Sequence, residues 1–140
     1  MDAVLFAAGL ATMYGAHQVA DHVFGQNDYH AANKAKPGRI GWASILAHVG
    51  QYHLVMYLML ATTFVTLDLN PSLLGFTLAM IFSMVTHAIL DRRWPVKWIL
   101  EKTGSPEFAK MTTPLCGMYL ADQSLHYMCL WISALLLTVG

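Results

Sequence analysis

Four short patterns hold most of the residues able to do chemistry: His17-x3-Asp21, His48 followed by Gln51, Tyr52 and His53, His87-x3-Asp91, and Asp122-x3-His126. Residues four apart share one face of a helix. Three patterns therefore present an imidazole and a carboxylate side by side, and the second sets Tyr52 one turn from His48. Neutral imidazole and carboxylate together form a donor set for a divalent metal ion. Such an ion lowers the pKa of a bound water toward neutrality and polarises a phosphoryl or carbonyl oxygen. No Gly-rich phosphate loop and no Ser, Cys or Lys nucleophile arrangement competes with this reading.

The elements that carry these patterns are apolar. The chain has 140 residues, of which 56% are hydrophobic and 11% charged, against about 25% charged in an ordinary soluble domain. Mean hydropathy is +0.48. One domain over 1–140 is expected, with lipid as its solvent. Eight basic residues balance eight acidic ones, so no excess positive charge exists to attract nucleic acid. Cys116 and Cys129 give no disulfide framework. No internal repeat or low-complexity segment stands out.

Four stretches approach the roughly 20 residues that a membrane-spanning helix needs: about Ala3 to Phe24, Trp42 to Leu67, Pro71 to Leu90 and Met118 to Val139. The first lacks a basic leader and a cleavage site, so it reads as a mature helix. Asp68-Leu69-Asn70-Pro71 is a tight turn, with Pro71 expected in the first turn of the third helix. It makes helices two and three antiparallel neighbours. All eight basic residues fall in the two longer links: Lys34, Lys36, Arg39, Arg92, Arg93, Lys97, Lys102 and Lys110. The positive-inside rule then puts both links in the cytoplasm of a bacterial inner membrane and both termini outside it. In the second link, Arg92 to Lys102 reads as an interfacial amphipathic helix. Trp94, Trp98 and Ile99 face lipid there, and Arg93, Lys97 and Glu101 face water. In this topology the four polar patterns fall at one depth, roughly 6 to 12 Å from the cytoplasmic helix ends, where the helices of an antiparallel bundle can aim them at a common axis.

Energetics press in the same direction. An ionised Asp at a helix centre costs about 3 kcal/mol, so Asp21, Asp91 and Asp122 together would cost nearly 10 kcal/mol uncompensated. Protonation, pairing with His or a bound cation must offset that. Polar side chains also glue membrane helices together, and that plain structural role is the alternative to be tested. His22, His30 and His53 read as surface or outer residues of the site, and Cys129 as a small buried hydrophobe.

The runs AHQVADHVFGQNDYHAANKAK, ILAHVGQYH, THAILD and YLADQSLH resemble an uncharacterised family of small four-helix membrane proteins from bacteria and their phages, known as a domain of unknown function. The likeness extends from about His17 to about His126. It covers His17, Asp21, Gln26, Asn33, Lys34, His48, His87, Asp91, Asp122, Gln123 and His126. The resemblance implies a topology and a choice of residues, and no reaction. A more distant similarity, through the repeated His/Asp helix pairs, is to inner-membrane metal-dependent hydrolases and to zinc-dependent phospholipases and nucleases, whose pairs hold a metal cluster between helices.

The sequence thus leads to an all-α integral-membrane four-helix antiparallel bundle with an added interfacial helix. His17, Asp21, His48, His87, Asp91, Asp122 and His126 are the expected ligands of one or two divalent ions, Zn²⁺ first, with Mn²⁺ or Fe²⁺ as alternatives. Asp21, Asp91 and Asp122 are the carboxylates expected in catalysis. Asn33, Lys34, Arg92 and Arg93 are expected to meet a substrate phosphate, with Gln26, Tyr52 and Gln123 orienting the ligands. The expected activity is hydrolysis of a phosphoester, such as a lipid headgroup, with membrane lipids as partners. The rivals are passage or sensing of metal ions or protons, and a non-catalytic phage or bacterial membrane accessory role.

Overall fold

The computed structural model describes residues 2–25 and 27–140. Gln26, expected to orient the site, lies outside the described residues. Every regular element described is helical: α1 (Ala3–Val19) running into a π turn (Ala20–Phe24), α2 (Asp28–Asn33), α3 (Gly38–Thr66), α4 (Leu73–Leu90), α5 (Trp94–Lys102), α6 (Pro106–Lys110) and α7 (Gly117–Leu136).

Side-chain caps fix several starts. The Asp2 carboxylate accepts from the N–H groups of Val4 and Leu5, Asn27 from that of His30, and Ser72 from that of Gly75. Each replaces a helical partner that the first turn lacks. The Ser72 cap moves the start of α4 two residues beyond Pro71, so the proline sits in the turn and not in the helix as expected. At the other end of that turn α3 stops at Thr66. Its beginning lies four residues ahead of the expected Trp42, because Pro37 supplies the extended cap and Gly38, at φ +77°, the turn into it.

Among the described residues, three helices are long and apolar enough to cross a membrane: Ala3–Phe24, Gly38–Thr66 and Leu73–Leu90. The fourth expected span is a helix of 20 residues, but Asp122, Gln123, Ser124 and His126 dilute its apolar run. Val4, Leu54, Leu58, Val65, Leu74 and Ile81 are all more than half exposed, a surface that water alone would not favour. α1 packs on α3 and α7, while α4 packs chiefly on α7 and also on α3. Leu5, Met13, Met56, Leu60, Phe64, Leu130 and Leu137 fill the apolar core between them. Thr12 donates to Thr63 at 2.9 Å, tying α1 to α3 within that apolar half.

α5 forms where the amphipathic pattern places it. Trp94 and Trp98 are exposed, Val96 is buried against Leu90 and Cys129, and Lys97 pairs with Glu101 on the outside at 3.8 Å. Pro95 in its first turn replaces an N–H that would have no helical partner. Cys116 and Cys129 are free thiols, exposed and buried respectively.

Candidate metal centre

The buried polar side chains gather where α1 and α4 end and where α3 and α7 begin: His17, Asp21, His48, His87, Asp91, Gln123 and His126 are all nine-tenths or more buried. Four segments far apart in sequence thus deliver imidazoles and carboxylates to one place. The π turn carries Asp21 and His22. Such turns widen a helix by one residue and recur at functional sites.

His48 stands at the centre. Its Nδ1 donates to the Gly25 carbonyl at 3.1 Å, which turns Nε2 inward. That nitrogen lies 3.1 Å from Asp21 Oδ1, 3.1 Å from Asp91 Oδ2 and 3.2 Å from His87 Nε2. His87 Nε2 is in turn 3.4 Å from Asp91 Oδ2. Metal–ligand bonds of roughly 2.0–2.1 Å place neighbouring ligands of a tetrahedral ion roughly 3.3 Å apart. The spacing in the cluster brackets that edge. Two groups bring their ligand atoms within 4.8 Å of one another, Asp21–His48–His87 and His87–Asp91–His126.

Gly25 is required for this approach. A Cβ there would lie 2.3 Å from the Ala20 carbonyl and 3.0 Å from the His48 ring, so any side chain pushes His48 out of place.

A hydrogen-bonded chain with a defined direction backs the cluster. The Asp21 carboxylate only accepts, so Gln123 turns its amide N–H to Asp21 Oδ2 at 3.2 Å and its Oε1 to His17 Nε2 at 2.8 Å. His17 therefore carries its proton on Nε2, and Nδ1 accepts from the Tyr52 hydroxyl at 2.9 Å. These tautomers follow from the partners. Both nitrogens of His17 are spent, and it belongs to neither ligand group. The residue expected as a ligand instead orients Asp21 through Gln123, alongside Tyr52 and Gln123, which were expected in that role.

On the α7 side His126 donates from Nδ1 to the Asp122 carbonyl at 2.9 Å. Among the described residues its Nε2 is buried with no hydrogen-bond partner, as is Asp122 Oδ1. The Asp122 carboxylate lies beside the ring, 3.7 Å from Nδ1, but is in neither ligand group.

The four residues expected to meet a phosphate divide. Asn33 is buried and donates to the Tyr29 carbonyl at 2.6 Å, and Arg92 donates to the Lys34 carbonyl at 3.0 Å while covering the Trp42 ring. Both hold the α2 link in place. Lys34 points inward: its ammonium is buried, 2.9 Å from Asp91 Oδ2 and 3.4 Å from His48 Nε2. It is the counter-ion of the cluster, a role the sequence reading missed because the residue lies in a polar link. Arg93 is exposed, and with Tyr119 and Asp122 it lines a cleft of about 170 Å³. A smaller cleft beside it, about 90 Å³, reaches Asp21, Lys34, Asp91 and Gln123.

The remaining histidines also have defined places. His22, half-buried, takes a hydrogen bond from Tyr119 at 2.7 Å and lies 3.9 Å from Asp21. His53, expected at the surface or in an outer layer of the site, is buried and bonded to the Val49 carbonyl and to Ser83 of α4. It joins two helices and does not face the cluster through a ring nitrogen. His30 is half-buried in α2.

Comparison with protein-family models, with curated proteins and with solved structures finds no match to this chain. The likeness to the four-helix membrane family therefore rests on the residues quoted for it.

Proposed function

We propose that the chain is an integral-membrane four-helix antiparallel bundle with a divalent-metal centre at its cytoplasmic end, and that this centre hydrolyses a phosphoester. The observation that carries the reading is the crowding at His48: an imidazole nitrogen of His87 and one carboxylate oxygen each of Asp21 and Asp91 lie 3.1 to 3.2 Å from its Nε2. Two buried carboxylates against one lysine ammonium leave negative charge that a shared divalent cation would offset. Asp21, His48 and His87 hold the ion in this reading, with Asp91 beside them. Zn²⁺ suits two imidazoles and a carboxylate, and Mn²⁺ and Fe²⁺ are alternatives. Membership in the uncharacterised bacterial and phage family belongs to the same proposal.

The ion supplies Lewis acidity, lowering the pKa of water and polarising a phosphoryl oxygen. The chain supplies the rest. The clefts beside Arg93 admit a phosphoester from the headgroup level, where its charge meets the guanidinium. Water adds to phosphorus, and the bond from phosphorus to the leaving alcohol oxygen breaks. One water proton passes to the half-buried Asp122 carboxylate and then to that oxygen. α5 lies in the interface through Trp94 and Trp98, which sets the mouth of the cleft at headgroup depth. Passage of ions is disfavoured, because the core beyond the cluster is closed by Met13, Met56, Leu60 and Leu130.

The test uses detergent-purified protein loaded with Zn²⁺ or Mn²⁺, and phosphomonoester and phosphodiester substrates including phospholipid micelles. The proposal expects metal-dependent release of alcohol or phosphate that His87→Ala abolishes. A protein fully loaded with metal and inert toward every phosphoester would refute the hydrolase part and leave a binding centre.

A further inference from the structure

His126 and Asp122 are not explained by a centre at Asp21, His48 and His87. Among the described residues, His126 Nε2 and Asp122 Oδ1 are buried with no hydrogen-bond partner. A buried polar atom in that state costs free energy unless something binds it. The Nδ1–H of His126 is already given to the Asp122 carbonyl, so the orphaned nitrogen carries a lone pair that can ligate a cation. His126 also forms the second ligand group with His87 and Asp91. Because His87 belongs to both groups, the two positions adjoin, and Asp91, whose Oδ2 lies 3.1 Å from His48 and 3.4 Å from His87, would be shared at their boundary.

Charge decides when this second position fills. Among the described residues the cluster holds three carboxylates, Asp21, Asp91 and Asp122, and one lysine ammonium, that of Lys34. With the carboxylates ionised, one divalent ion brings the whole to neutrality. A second divalent ion leaves two positive charges in a dry place, which only an anion of similar charge offsets. Arg93 lines the clefts that lead to this end of the cluster, and among the described residues its guanidinium makes no hydrogen bond or ion pair. An incoming oxyanion therefore finds a donor at the mouth and a vacant charge balance inside.

We infer that His126, Asp91 and His87 form a second divalent-cation position that fills only together with a phosphate-type oxyanion. The inference rests on the resident centre proposed above and gives that centre a substrate-linked partner ion. The oxyanion chemistry is shared by free phosphate and by the headgroup of an anionic phospholipid.

Equilibrium dialysis of the full chain against Mn²⁺, followed by elemental analysis, tests it in three arms: detergent alone, detergent with inorganic phosphate, and phosphatidic acid nanodiscs without free phosphate. The expected Mn-to-protein ratio is one in the first arm and two in at least one of the others, and the arm that reaches two identifies the source of the oxyanion. His126→Ala should stay at one throughout. Asp122→Asn, which keeps the shape of the side chain, should weaken the second ion tenfold or more and leave the first in place. A ratio of one in all arms, or of two without any phosphate, would overturn the inference. So would loss of the first ion in both variants. A ratio of zero everywhere would instead overturn the resident centre.

Discussion

Lys34→Met separates the lysine ammonium from the proposed divalent ion as counter-charges of the cluster. Lys34 and Asp91 are 2.9 Å apart with side chains only 10% and 3% exposed, so this is a buried pair and solvent screens it little. Removing one partner of such a pair costs about 3–5 kcal/mol, because the other charge stays behind uncompensated. For a chain of this size that lowers the melting temperature by on the order of 10 °C. Methionine keeps the stem and loses the charge, so packing changes little. A divalent ion bound beside Asp91 should take over the compensation and reduce the loss to about 1 kcal/mol or less. It should also bind at least about tenfold more tightly, since a unit positive charge within about 4 Å of it has gone. The assay is thermal unfolding in detergent, of both proteins, with chelator and with saturating Zn²⁺. Equal destabilisation of the variant with and without Zn²⁺, or no destabilisation under chelator, would refute the reasoning.

Gly25→Ala should displace His48 through its clash with the Ala20 carbonyl and cut metal affinity by roughly 10–100-fold, the usual range for a lost ligand orienter, as measured by competition with a chelating dye; unchanged affinity would count against the His48 centre. Tyr52→Phe removes one buried hydrogen bond to His17 and should cost about 1–2 kcal/mol of stability while the metal stoichiometry stays fixed, because His17 orients and does not ligate; loss of the metal would show the opposite. Lys97→Ala, in an exposed pair, should change stability by less than about 0.5 kcal/mol. A reporter fused after Gly140 should read an extracytoplasmic location, and a cytoplasmic reading would reverse the proposed topology.

Much of the cluster was legible because spacing and helix direction are one-dimensional information. His17, Asp21, His48, His87, Asp91 and His126 recur at helical phase and at matching depth, and burial of such groups in apolar helices demands that they meet. Division of labour among them was not legible. His17-x3-Asp21 reads the same as His87-x3-Asp91, yet only the latter pair faces its partner directly at 3.4 Å, while Gln123 from α7 stands between the former. That difference depends on the π turn and on a residue 102 positions away, and neither leaves a local signal. Lys34 was read as a contact for a substrate phosphate because the link around it is polar; the fold of α2 against α3 turns its ammonium to Asp91. Helix boundaries followed caps where Ser72 and Asn27 supplied them, and the start of α3 was missed because Gly38 and Arg39 look like linker. The single apolar half of the fold was plain from composition, whereas the choice between surface and outer layer stayed open for His53, because helical phase relative to His48 says nothing of Ser83 on the neighbouring helix.

The central claim is that a divalent ion holds these helices together at Asp21, His48 and His87. Elemental analysis of protein purified without chelator, beside His87→Ala and His30→Ala, tests it most directly. One ion per chain in the unmodified protein and in His30→Ala, with most of it lost from folded His87→Ala, is the predicted result. A metal-free protein that still folds, or equal loss in the two variants, would contradict the account and leave the buried histidines and aspartates as packing glue.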